Sequence, residues 1–145
     1  MLPEYLPMIT LPAAGLILTH LAYVDLTTAR IPNGAIALLA IAATAHVATV
    51  PDPTWHIGMA AVAFICLFFL WQCDLLGGGD VKLLPVVALI LGSLFPAFLA
   101  ALGAFAICAG VSRGMLPRLW QKRRDVPLAA LVLPAFATVL IGAAI

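Results

Sequence analysis

Leu75-Leu76-Gly77-Gly78-Gly79-Asp80-Val81-Lys82-Leu83 interrupts a chain that is otherwise almost continuously apolar. Three successive glycines break a helix and open backbone conformations closed to other residues. An aspartate follows directly, then a lysine, then another apolar run. Two readings of the segment stand side by side. In the plain one, Gly77 to Asp80 is a turn between two membrane helices, with Asp80 as the N-cap of the second. In the other, a carboxylate this close to lipid is costly to keep and marks a functional site.

The surrounding composition establishes the lipid. Of 145 residues, 65% are hydrophobic and 9% charged, and the mean hydropathy is +1.19. Soluble domains are about half apolar and about a quarter charged. The expectation is therefore an all-α, polytopic integral membrane protein, a single membrane-embedded domain over residues 1–145 with no separate soluble module. The first apolar run has no Lys or Arg before it, unlike a secretory signal peptide, and reads as a retained helix. Cys66, Cys73 and Cys108 lie inside apolar runs without a Cys-x-x-Cys pair, so neither a zinc site nor a disulfide framework is expected.

Working outward from the glycines, a spanning helix needs about 20 apolar residues. Leu6 to Val24 is the first candidate. Ala35 to Val50 is the second, entered through Ile31-Pro32-Asn33-Gly34, where Pro32 suits a first helical turn and Asn33 suits an N-cap. Ile57 to Cys73 is the third, with Trp55 and Trp71 placed for the two interfaces. Val81 to Val111 is too long for one span, and Gly92-Ser93 and Pro96 suggest two short helices joined by a tight turn. Val126 to Ile145 is the last, which makes about six. The basic residues are Arg30, Lys82, Arg113, Arg118, Lys122, Arg123 and Arg124. In a six-helix chain they all fall on one side, whereas five helices would divide them. Lys and Arg concentrate in cytoplasmic loops, so both termini are expected away from the cytoplasm. The Arg113 to Arg124 cluster reads as a topology determinant that meets anionic headgroups.

The same count puts Asp25 and Asp80 at helix ends on the cytoplasmic side. Two carboxylates sharing a site cannot both ionise cheaply and titrate as a pair. Such a pair performs aspartyl proteolysis: the ionised member takes a proton from water, and the protonated member donates to the carbonyl under attack. The glycines would let an extended substrate lie close to Asp80.

Gly77-Gly78-Gly79-Asp80 matches the Gly-x-Gly-Asp motif of membrane-embedded aspartyl proteases. The longer Gly-Gly-Gly-Asp-Val-Lys-Leu, with Asp25 upstream of Arg30-Ile31-Pro32-Asn33, resembles the type IV prepilin peptidase family over essentially the whole chain. That resemblance implies Asp25 and Asp80 as the catalytic pair. Gly77, Gly78, Gly79, Lys82, Arg30, Pro32 and Asn33 would be the supporting motif. It implies a prepilin or pseudopilin substrate, cut in its basic leader at the cytoplasmic edge of a bacterial inner membrane, as part of pilus assembly or secretion. It implies no metal or cofactor and no nucleic-acid partner. The link from Asp25 to Gly34 is short and lacks the paired cysteines of longer members. The chain thus resembles the minimal, peptidase-only members that serve Flp/Tad-type pili, without N-methyltransferase activity. Presenilin-like proteases share Gly-x-Gly-Asp but are much longer, and their Tyr-Asp motif is absent because Val24 separates Tyr23 from Asp25.

The other polar residues read as structural. Asp74 ends the third helix. His20 lies on a different face from Asp25. His46 and His56 map to the opposite side and make no metal site. Two rival functions remain: a small ion- or proton-coupled transporter relaying through Asp25 and Asp80, and a structural subunit of a pilus or secretion machine. Transporters keep their acids near the midplane and show repeated halves. Neither feature is present.

Overall fold

A computed structural model of the chain describes residues 6–28, 31–74, 76–113 and 128–144. Those residues form six α-helices: α1 (Leu6–Thr28), α2 (Asn33–Val47), α3 (Thr54–Gln72), α4 (Asp80–Leu91), α5 (Phe95–Arg113) and α6 (Leu128–Ala144). A 3-10 turn, Gly92–Leu94, separates α4 from α5. No strand occurs among the described residues.

Three stretches are long and apolar enough to cross a membrane: Ile9–Thr28, Thr54–Gln72, and Asp80–Cys108, the last interrupted at the 3-10 turn. The helices Asn33–Val47 and Ala129–Ala143 are apolar but shorter. The expectation of six full spans is thus met in number of helices and not in length. At about 1.5 Å per residue, the 12 residues of α4 extend only about 18 Å. The break between α4 and α5 falls at Gly92 as expected, but only the first of the two helices is short.

Helix α4 is the centre of the bundle. Val81, Leu83, Leu84, Pro85, Val87, Ala88, Ile90 and Leu91 are all buried, and only the face of Lys82, Val86 and Leu89 is open or partly open. It packs chiefly on α3 and α2 and meets α5 only slightly. Helix α1 lies between α2 and α6, and α6 in turn packs on α5. The inner stripe of α1 is Ala14, Leu18, Leu21 and Ala22, at the three-and-four spacing of a single helical face. Its next position is Asp25, so the face that anchors α1 also carries a carboxylate into the core. His20 is exposed, on another face as expected. α6 presents Ala129, Val132, Ala135, Phe136 and Val139 by the same rule.

The exterior is as apolar as the interior. Leu16, Leu38, Ile41, Phe64, Ile65, Phe69 and Ile107 are all exposed. On α3 only Ala63 is buried. Such a surface suits lipid and not water. Trp55 and Trp71 are both exposed, at opposite ends of α3.

The helix ends differ in detail from the sequence reading. α1 continues one turn past Val24. The Thr27 hydroxyl donates to the Tyr23 carbonyl at 3.0 Å and the Thr28 hydroxyl to that of Val24 at 2.8 Å, so both side chains bond back onto the preceding turn of the helix. Pro32, not Asn33, is the N-cap of α2. Asp74 follows the end of α3 with φ 57°, the left-handed geometry that closes many helices. Its role there is to terminate α3. Asp52 receives the backbone N–H of Thr54 at 3.1 Å and also its hydroxyl. Those bonds, the hydroxyl first and the N–H second, hold its carboxyl below the usual carboxylate range.

At the end of the bundle away from the glycines, His56 Nδ1 lies 2.9 Å from the Leu89 carbonyl and His46 Nδ1 lies 3.3 Å from the Thr10 hydroxyl. The two rings meet edge to face at 6.1 Å. Both histidines are therefore partnered within the fold. Gly92 turns beneath them with φ 53°, and a Cβ there would sit 2.7–2.8 Å from the His56 ring. Gly92→Ala combines left-handed strain with that clash and should cost about 1–3 kcal/mol. Denaturant unfolding in detergent checks it. The double variant His56→Ala/Gly92→Ala should lose clearly less than the sum of the two single changes.

Candidate active site

The site lies where α1 ends, α2 and α4 begin, and α6 begins. Asp25 arrives on the inner stripe of α1 and is only 7% exposed. Its Oδ2 accepts the backbone N–H of Ala129 at 3.0 Å. Ala129 is the second residue of α6, so the carboxylate meets the N-terminus of that helix. Amides at a helix start have no partner within the helix, and the helix dipole there favours negative charge.

Asp80 arrives by a different route. Gly77 to Asp80 is a tight turn in which the Asp80 N–H donates to the Gly77 carbonyl at 3.1 Å. The Gly77 N–H in turn hydrogen-bonds the Asp80 carboxylate. Asp80 is the first residue of α4, and the N-cap is Gly79, which corrects the plain reading of Asp80 as the cap. The Asp80 side chain is half-buried and feels the charge of Asp25. The two sequence-predicted acids are therefore brought together, one deep and one nearer the surface.

The glycines do not adopt the left-handed conformations expected of them. None of the three has a positive φ. They are needed for space. A Cβ on Gly77 would stand 3.2 Å from Asp80 Oδ2, and one on Gly79 would stand 3.1–3.3 Å from the Ile31 side chain. A Cβ on Gly78 would meet Trp71 Nε1 at 3.7 Å, an ordinary contact. The outer two glycines are constrained and the middle one is not, which is the physical content of a Gly-x-Gly-Asp pattern here.

Lys82 Nζ donates to Asn33 Oδ1 at 3.1 Å. With Ile31 against Gly79, this bond ties the start of α2 to the start of α4. Pro32 stands between the two tie points. Arg30 and the residues Arg118, Lys122, Arg123 and Arg124 lie outside the described residues. Asp74 is exposed and held in its helix-ending turn. No group of three or more His, Cys, Asp or Glu that could hold a metal occurs among the described residues.

Ala129 and Ile31 escaped the sequence reading. Ala129 acts through its backbone, 104 residues from its partner, and no side-chain pattern announces that. Ile31 sits inside a recognised motif, yet its contact partner is visible only in three dimensions.

This arrangement defines a class: an apolar helical protein with two interacting carboxylates at helix ends on one side of the bundle. The type IV leader peptidase family matches residues 13–113, a segment that holds both aspartates and all of α2 to α5. The chain belongs to that family, and with it to the membrane peptidases. No curated protein and no solved structure matches it.

If the outer glycines are fixed by space, Gly78→Ala should leave peptidase activity within about twofold, while Gly77→Ala and Gly79→Ala should each lower it about tenfold or more. Ile31→Ala should restore part of the loss in Gly79→Ala and none of that in Gly77→Ala. Initial rates on one peptide substrate, measured across these variants, decide it.

Proposed function

We propose that the protein is an aspartic endopeptidase that removes the basic leader from type IV or Flp-type prepilins. The observation that carries this reading is that Asp80 lies within electrostatic reach of Asp25, in a chain of the leader peptidase family. Residues 1–145 form one membrane-embedded domain. The helices span the inner membrane six times, with both termini away from the cytoplasm and the acids at the cytoplasmic edge. The position of Lys82 at the start of α4, and the places in the sequence of Arg30 between α1 and α2 and of Arg113 to Arg124 from the end of α5 toward α6, support this orientation.

The chemistry needs the two carboxylates and water. The pair holds one proton between them. The ionised carboxylate removes a proton from water, and the water oxygen bonds to the scissile carbonyl carbon. The protonated carboxyl gives its proton to the carbonyl oxygen, producing a tetrahedral diol. The carboxyl that took the water proton now gives it to the amide nitrogen, the other carboxylate takes a proton from a diol hydroxyl, and the C–N bond breaks as the carbonyl re-forms. This leaves a free leader carboxylate and a new pilin amine, and the pair regains its starting protonation. The geometry suits the task. Asp80 is half-buried beside the exposed Gly77 and Gly78, and Asp25 is screened in the core. Lys82 and Asn33 hold the start of α4 against the start of α2.

Purified protein in detergent or lipid, mixed with a prepilin, should shorten the substrate. Asp25→Asn and Asp80→Asn should each reduce cleavage to background, and Asp74→Asn should cleave like wild type. A pair that shares one proton is active only between its two titrations, so the rate should trace a bell against pH. Equal cleavage by all four proteins would place the activity elsewhere.

A further inference from the structure

The dyad reading leaves one question that the geometry answers: what orients the deeper carboxylate. Resting on that reading, we propose that the first turn of α6 is the positioning element for Asp25, acting through the backbone N–H of Ala129.

Three observations carry it. The bond from the Ala129 N–H to Asp25 Oδ2 is 3.0 Å long and buried, and it joins helices 104 residues apart in the chain. Ala129 is itself 2% exposed, so its small side chain lets the backbone of α6 come up against α1. Behind the bond, α1 and α6 pack closely, with Ala14, Leu18 and Leu21 on one face and Val132, Ala135 and Phe136 on the other. The carboxylate therefore cannot swing without either breaking the bond or moving a helix. Asp25 makes other interactions too; the Ala129 bond is the one that references it to α6. Helix α6 begins at Leu128, beyond the 13–113 segment that the family matches. Because the donor is a backbone amide, no side-chain truncation removes it. Only proline does, and the first helical turn is where proline is best tolerated.

The amide touches no substrate, so the expected effect is on turnover and not on binding. In the full-length protein, Ala129→Pro should lower kcat about tenfold to a hundredfold with KM within about twofold. Ala129→Gly, which keeps the N–H, should stay within about twofold of wild type in both. Thermal unfolding of both variants separates this from loss of fold, which would reduce the active fraction and leave the surviving enzyme's pH profile intact. The bond is also read without activity. In micelles, the Ala129 amide proton should resonate downfield, and Asp25→Asn should move it upfield. The proposal is overturned if Ala129→Pro, well folded, turns over like wild type, or if the Ala129 amide ignores Asp25→Asn. If the wild type cleaves no prepilin while the amide still responds to Asp25→Asn, the orienting bond stands and the protease reading alone fails.

Discussion

A carboxylate buried in an apolar bundle needs donors, and a helix that begins inside the same bundle needs acceptors. The bond between Asp25 and the Ala129 amide satisfies both needs at once. Either group left alone would carry a desolvation cost of several kcal/mol. The bond lies on the same faces of α1 and α6 that carry their buried apolar stripes. Once those faces are chosen, the stripes of Ala, Leu, Val and Phe behind them close the core, and α2 and α4 find their places against α1 and α2 in turn. The position of the second acid then follows from a different device, a glycine turn seated on Ile31 and steadied by Lys82 and Asn33. One acid is set by a helix from the end of the chain, the other by a loop from its middle. Their meeting therefore reports on the whole fold.

Much of this was legible in the order of residues. The apolar runs located every helix, because lipid tolerates few alternatives to a hydrogen-bonded helix. The two aspartates stood out because each stands at one end of a largely apolar run, Asp25 after the first and Asp80 before the fourth. The break near Gly92 was visible as well, although the reason for a glycine there, a histidine ring from α3, was not. What escaped falls into two kinds. Helix ends moved by a residue or a turn where hydroxyls of Thr27 and Thr28, or the fixed φ of Pro32, shifted the balance locally. Long-range partners were invisible wherever a backbone group supplied one side, as Ala129 does. The glycines show a third case: the right residues were singled out with an incomplete reason. Their need was for room beside Asp80 and Ile31, not for unusual dihedral angles.

The two ends of the bundle are built differently. At one, acids, an amide and a lysine–asparagine pair gather around a glycine turn that is open to the outside. At the other, Thr10, His46 and His56 are joined to one another and to the carbonyl of Leu89, and Gly92 is pressed beneath a ring. The second end makes a tight seam among α1, α2, α3, the end of α4 and the 3-10 turn. α4 and α5 meet only slightly. The end beside the acids is tied by individual hydrogen bonds, from Ala129 to Asp25 and from Lys82 to Asn33, and keeps Gly77 and Gly78 exposed.

The brevity of α4 has a consequence for the membrane itself. Set in a bilayer whose hydrocarbon is about 30 Å thick, a helix of 12 residues and about 18 Å leaves a mismatch of about 12 Å. Lipid absorbs such a deficit by thinning, and headgroups and water are drawn down toward the helix end. In the six-span arrangement proposed above, the protein would carry its own dimple in the membrane, with Asp80 at the floor. Hydrolysis there would have water at hand without a channel, and a peptide bond shielded by lipid elsewhere would become wettable at this one point of the surface.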